Sequence, residues 1–216
     1  MTAPRLPFDE KPGNAGKPAR SRIQTRNRQI ILDAALDVFS THGFRGATLD
    51  QIAAQAGLSK PNLLYYFDSK DAIHRELLTR LLHTWLDPLR MLDARGDPQA
   101  EIMAYMRRKL QMSRDFPRES RLFANEILQG APRMEEFIRT DLRALVDEKA
   151  QLLQAWADAG RIAPIDPYHL IFSIWSLTQH YADFAPQIAM IRGDDHDPTD
   201  GAEAFLEHLY TRLLVP

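Results

Sequence analysis

The chain has 216 residues, 44% of them hydrophobic, with no cysteine and a formal charge of −2. That length sustains a substantial core, while the missing cysteines exclude disulfides, iron–sulfur clusters, thiolate zinc sites and every cysteine nucleophile. No apolar run approaches the roughly 20 residues that a bilayer-spanning helix needs, and the first residues lack the apolar stretch of a secretory signal. A cytoplasmic protein with no membrane partner is expected.

The small net charge conceals an asymmetry. Residues 1–70 carry 10 Lys and Arg against 6 Asp and Glu, whereas residues 71–216 carry 17 against 23. The excess lies at the start, where residues 1–28 hold 7 basic and 2 acidic side chains. Such an end draws polyanions, although a solvated tail has the same composition. Residues 1–19 are rich in Pro, Gly and Lys without periodicity, which predicts a flexible basic arm.

From there only helices are predicted. Ile30, Ile31, Ala34, Ala35, Val38 and Phe39 recur at three- and four-residue spacing and line one face of a first helix that stops near Gly43. Thr48 caps a second, short helix that ends at Gly57, and Ser59 caps a third, in which Pro61 occupies the tolerant first turn. The third helix ends near Phe67. A cap at Asp68 or Ser69 opens a long helix through Trp85, expected to be disturbed at Pro88. Further helices are predicted over about 97–115, 117–130, 132–160, 166–190 and 200–213. The stretch from Leu170 to Ile188 is apolar around most of its circumference and needs burial on several sides. A central position in a monomer would supply that, as would a four-helix bundle between two copies.

Residues 48–67 read TLDQIAAQAGLSKPNLLYYF, two capped helices joined by a glycine turn of helix-turn-helix length. On the third helix Leu63, Leu64 and Phe67 form the predicted packing face, leaving Pro61, Asn62, Tyr65 and Tyr66 outward. Asn62 has the paired donor and acceptor that adenine accepts, Tyr65 and Tyr66 can reach phosphates or thymine methyls, and Lys60 and Lys70 can meet phosphates. Thr48 and Ser59 stand at helix starts, where amides face anions.

The segment GFRGATLDQIAAQAGLSKPNLLYYFDSKDAI, residues 43–73, resembles the DNA-binding head of the TetR family. That resemblance implies an all-α fold: a three-helix helix-turn-helix head at 20–67 and a helical effector-binding and dimerisation domain at 68–216. It also implies a homodimer that binds an operator in double-stranded DNA and responds to a small molecule. One position departs from the family, which commonly has Tyr where Leu64 stands. Beyond the head, TWLDPL (84–89), SRDFPRESRLFANEIL (113–128), APIDPYHLIFSIW (163–175) and TQHYADFA (178–185) resemble pyrimidine-responsive members of the family. The effector so implied is uracil or thymine, released DNA being the response, with repression of pyrimidine-utilisation genes as the role.

A flat ring edged by carbonyls and imide N–H groups suits an aromatic wall beside an amide. Trp175 and Gln179 lie four residues apart on one helix face, and Trp85 is the candidate opposite wall through the family resemblance. Core packing for the tryptophans and an inter-subunit hydrogen bond for Gln179 are the plainer alternatives. His180 and Asp183, one turn apart, read as a surface pair, the run 194–197 as a solvated loop, and Arg107, Arg108 and Lys109 as one exposed polar turn without a role. No metal or cofactor is expected, since no two histidines stand at i,i+4. No acid–base or nucleophile constellation suggests an enzyme. A regulator of the same family that senses a different small planar metabolite and an effector-independent DNA-binding protein are the other readings.

Overall fold

The computed structural model describes residues 22–193 and 195–216, so the basic arm at 1–19 and Asp194 lie outside the described residues. Every regular element among the described residues is helical: α1 (Arg22–Gly46), α2 (Leu49–Gln55), α3 (Lys60–Tyr66), α4 (Lys70–Arg90), α5 (Pro98–Asp115), α6 (Pro117–Leu128), α7 (Glu135–Phe137), a π-helical turn (Ile138–Leu142), α8 (Arg143–Asp158), α9 (Pro167–Asp183), α10 (Ala185–Arg192) and α11 (Ala202–Leu214). None is long and apolar enough to cross a membrane.

The head follows from its caps. Thr48 Oγ1 accepts from the Gln51 amide while the Gln51 side chain accepts from the Thr48 amide at 2.8 Å, a reciprocal capping box. Ser59 accepts from Asn62 N in the same manner. Gly57, at φ +66°, makes the turn between α2 and α3 in the left-handed region that glycine enters at little cost. Ser69, not Asp68, caps α4.

Three predicted boundaries change. Pro88 leaves α4 intact to Arg90, because it sits in the last turn and removes only one hydrogen bond, while Arg90 reaches back to the His83 carbonyl at 3.2 Å. The single helix expected over 166–190 divides at Phe184, where Pro186 forces a new start for α10. The helix expected over 132–160 begins at Glu135 and carries the π-helical turn.

Two apolar cores result. The first joins Ile31, Phe39, Ile52, Leu63 and Phe67 of the head to Ile73, Leu81 and Trp85 of α4 and to Leu122 of α6. The second gathers Ile102, Tyr105, Met106, Leu153, Ile174 and Leu206 from α5, α8, α9 and α11. Trp175 packs against that second core.

Candidate nucleic-acid interface and effector site

α3 presents one face outward and is fixed from behind. Leu63 and Phe67 are buried, whereas Pro61, Asn62 and Tyr65 are exposed, Tyr65 by 72%. Leu64 is a correction to the expected packing face: it is 39% exposed, lying about 100° around α3 from the fully buried Leu63. Tyr66 is half-buried, its hydroxyl accepting from Asn27 Nδ2 at 2.7 Å and its ring edge-on to Tyr65 at 5.1 Å. Lys60 pairs with Asp50 at 2.9 Å on the surface, an exchangeable contact that a phosphate can replace. Thr48 and Ser59 are exposed N-caps beside this face. Lys70 turns the other way. Its ammonium donates to the carbonyls of Phe44 and Ala47 at 2.7 and 2.6 Å and covers the Phe44 ring, so it closes the turn between α1 and α2.

Sequence reasoning counted Arg28 with the polyanion-attracting run. The structure gives it a holding role: its guanidinium stacks on Phe67 at 4.0 Å, donates to the Tyr66 carbonyl and pairs with Glu76 of α4. Thus α1 clamps the C-terminal end of α3 and fixes the direction of its outward face.

A second polar knot joins head to body. Glu126 at the end of α6 is buried, and its carboxylate accepts from Arg133 through the main-chain amide at 2.8 Å and the guanidinium at 3.1 Å. Arg133 also reaches Asp71 at 2.7 Å and lies over the Phe44 ring at 3.5 Å. His74 stands among these groups, edge-on to Phe39 and Phe44, with Nδ1 3.9 Å from Glu126. Burial first and the Arg133 charge second pull its pKa down to about 4.

In the body, Trp175 donates from Nε1 to the Tyr105 hydroxyl at 2.5 Å, and its ring lines an open cleft of about 560 Å³ with Leu142, Val146, Tyr168 and Phe172. Gln179 is half-buried one turn further along α9 and makes no hydrogen bond among the described residues. Trp85 is buried in the first core, its Nε1 without a partner among the described residues. The two tryptophans are related through α5: Tyr105 touches Trp175, and Lys109, one turn on, places its ammonium 4.6 Å from the Trp85 ring centre. Lys109 overturns the exposed-turn reading. It is 2% exposed, and only Arg107 of that turn lies at the surface, paired with Glu207. The signal was present in the sequence, since Ile102, Tyr105, Met106, Lys109 and Ser113 follow the same apolar-face spacing. Burial lowers the Lys109 pKa to about 7, Asp183 opposing. Asp183 is no surface partner of His180 either: it accepts from the Ser120 hydroxyl at 2.6 Å, and burial raises its pKa. Asp197, from the run read as a solvated loop, holds the Thr199 amide at 2.8 Å.

A family described as bacterial regulatory proteins, tetR family, matches residues 31–77, and one described as YcdC-like protein, C-terminal region, matches residues 78–216. The HTH-type transcriptional regulator RutR of Escherichia coli (strain K12) is 51% identical over 174 residues, covering 81% of this chain and 82% of its own. The HTH-type transcriptional regulator SrpR of Pseudomonas putida is 31% identical, over 62% of this chain and 67% of its own. Among solved structures, the putative transcriptional regulator SCO4942 from Streptomyces coelicolor superposes with a TM-score of 0.68 at 25% identity, covering 87% of this chain and 98% of that one. AibR, solved with isovaleryl coenzyme A and operator DNA, shares the fold with a TM-score of 0.66 at 18% identity, covering 88% and 99%. An outward recognition helix, a polar knot behind it and a match along nearly the whole described length agree: the chain belongs to the TetR family of DNA-binding transcriptional regulators, proteins that act by binding and not by catalysis.

Proposed function

We propose that the chain is a homodimeric, operator-binding repressor of pyrimidine-utilisation genes that leaves DNA when uracil or thymine binds its helical body. The observation that carries this reading is the polar face of α5, where Tyr105 and Lys109 meet Trp175 and Trp85 inside an otherwise apolar bundle. The resemblance of residues 84–89, 113–128, 163–175 and 178–185 to pyrimidine-responsive members supports the ligand class, with Trp85, Trp175 and Gln179 as ring-contacting groups.

Dimerisation is supported by the large apolar side chains that the late helices leave uncovered: Phe172 on α9 is 46% exposed and Phe205 on α11 58%. A second copy would bury them in a four-helix bundle. Its two heads would then enter successive major grooves about 34–36 Å apart. On each head Asn62 and Tyr65 face base edges, Lys60 and Pro61 face the backbone, Thr48 and Ser59 flank them, and Tyr66 and Lys70 hold the frame. Leu64, where the family commonly has Tyr, offers thymine methyls an apolar contact.

The route from effector to head runs along α6. Ser120 holds Asp183 near the α6 start and Glu126 holds Arg133 near its end, six residues or about 9 Å apart. A ligand that binds one setting of α6 better than the other shifts the head spacing by that difference alone.

Selection of bound sequences from genomic fragments, followed by fluorescence anisotropy with and without uracil, tests the reading. Saturable loss of DNA affinity with uracil is expected. Asn62→Ala and Tyr65→Ala should each cost about 1–3 kcal/mol of specific binding, and Lys60→Ala should lower the salt slope by about 1. Uracil binding should be unchanged in all three. DNA affinity indifferent to uracil and thymine would favour another planar effector or an effector-independent protein.

A further inference from the structure

Beside the polar knot, α4 and the segment that follows α6 leave a slot between them. Leu78 and Leu82 of α4 and Met134 and Phe137 of that segment give it apolar walls, Arg75 and Arg133 line it as well, and its volume is about 150 Å³, enough for a six-membered ring. Leu78, Leu82 and Met134 are almost fully buried, whereas the Arg75 side chain is 56% exposed, so the slot is apolar at its inner end and cationic toward solvent. It shares no residue with the cleft beside Trp175. Each guanidinium gives its Nε–H to the same carboxylate, Arg75 and Arg133 meeting the two oxygens of Asp71 at 2.5 and 2.7 Å, and Arg133 Nη1 donates to Glu126. Both Nη groups of Arg75 and Nη2 of Arg133 make no hydrogen bond among the described residues. Lys70 covers the Phe44 ring that Arg133 also covers, so three cations face the carboxylates of Asp71 and Glu126, a surplus of one positive charge. Glu135 and Glu136 are exposed and do not line the slot, Glu135 being paired with Arg139. The turn that delivers Arg133 is held in an uncommon shape, with Ala131 at φ +54°, which persists only where the surroundings over-determine it.

We propose that this slot is a second ligand site, for a small apolar monocarboxylate such as an aromatic or short aliphatic acid, and that its occupancy ties α4 to residues 131–137 and so alters operator affinity. The carboxylate accepts from the free Nη groups of both arginines, a planar two-pronged match that a guanidinium offers and an ammonium does not. The Asp71 bonds need not break, because the acid uses N–H groups that Asp71 leaves unused. The tail lies between Leu78, Leu82, Met134 and Phe137 and displaces water from them. A neutral amide of the same shape keeps the tail contacts but brings no charge to the two guanidiniums. Occupancy bears on the head because Leu78 and Leu82 share a core with Phe39 and Phe67, so a ligand that binds one setting of α4 better than another shifts the head by linkage.

Calorimetric titration of the full chain with sodium benzoate and with benzamide, at matched ionic strength, tests the site. Unmodified protein should take up one benzoate per chain and bind it at least about 10-fold more tightly than benzamide. Arg75→Gln, at an exposed position, should weaken benzoate about 10-fold, and Arg75→Lys should restore little of that loss. Phe137→Ala leaves both cations in place and should weaken benzoate about 5-fold. Operator affinity of unmodified protein, read by fluorescence anisotropy on the fragments it selects, should change at least about 5-fold between no benzoate and saturation, and should stay constant over the same range in Arg75→Gln. A flat ring held in the effector cleft would survive Arg75→Gln, and an anion drawn by surface charge alone would survive Phe137→Ala. Either survival overturns the inference, as does failure to take up benzoate, equal binding of benzamide, or an operator affinity indifferent to bound benzoate. All of these outcomes leave the pyrimidine reading intact, since no residue of the slot belongs to it.

Discussion

His74 lies at 2% exposure between the rings of Phe39 and Phe44, with the guanidinium of Arg133 nearby. Folded, it stays neutral down to about pH 4, whereas the unfolded chain takes up the proton from its ordinary pKa of 6.5 downward. The unfolded state thus binds more protons in that window, and stability falls as the pH drops through it, by an amount of the order of 3 kcal/mol from this residue. Urea denaturation at pH 7, 5.5 and 4.5 checks the slope, which His74→Gln should flatten whatever its effect at pH 7. Nothing in the sequence distinguishes His74 from the exposed His83 further along the same helix, except its place three residues before Leu77 on the apolar stripe. Lys109 teaches the same lesson more sharply. Residue type places lysine outside, spacing places it inside, and here spacing wins because α5 is covered by α4, α6, α9 and α11. Outward residues of α3 were legible where the wheel is unambiguous, at Asn62 and Tyr65. Leu64 was not, since apolar character suggested packing while α1 and α2, the main neighbours of α3 among the described residues, leave it exposed.

Helix starts and stops were largely written in the caps, and Thr48, Ser59 and Asp97 each accept from a first-turn amide as their residue types require. Gly43 illustrates a stop that is also a hinge in shape: with φ 65° and ψ 175° it breaks the hydrogen-bonded run inside α1 and turns the last residues toward α2. That backbone region belongs essentially to glycine. A Cβ at Gly43 would meet nothing within 4 Å, so the cost of Gly43→Ala is conformational alone. About 1–3 kcal/mol of stability should be lost, read by thermal or urea unfolding, together with DNA affinity, because α2 and α3 take their orientation from that break. The π-helical turn at Ile138–Leu142 was invisible beforehand, since no residue type encodes it and it depends on how α8 settles against its neighbours. Pro88 misled for the opposite reason. Its chemistry is disruptive, but position within the final turn decides how many hydrogen bonds it can remove.

Across the molecule, the Glu126–Arg133–Asp71 knot is where the body grips the head. Arg133→Ala leaves the buried Glu126 carboxylate without its guanidinium, and should cost about 3–5 kcal/mol in urea denaturation. Adding Glu126→Gln to that variant should recover part of the loss, and a double-mutant cycle measures how much. Membership of the first core explains why this grip was hard to foresee: sequence marks a boundary at residues 67–68, where one capped helix ends and another begins, but burial ignores it. Phe67 and Ile73 share a core with Leu122 and Met134, 49 to 67 residues away. Anyone assembling a biosensor by joining this head to the ligand body of a different regulator at the α3–α4 turn would therefore cut through a single packed interior. A working chimaera would have to carry α4, the facing side of α6 and the Ala131–Met134 turn along with the head, which makes the exchangeable unit of this protein larger than its DNA-binding motif and discontinuous in sequence.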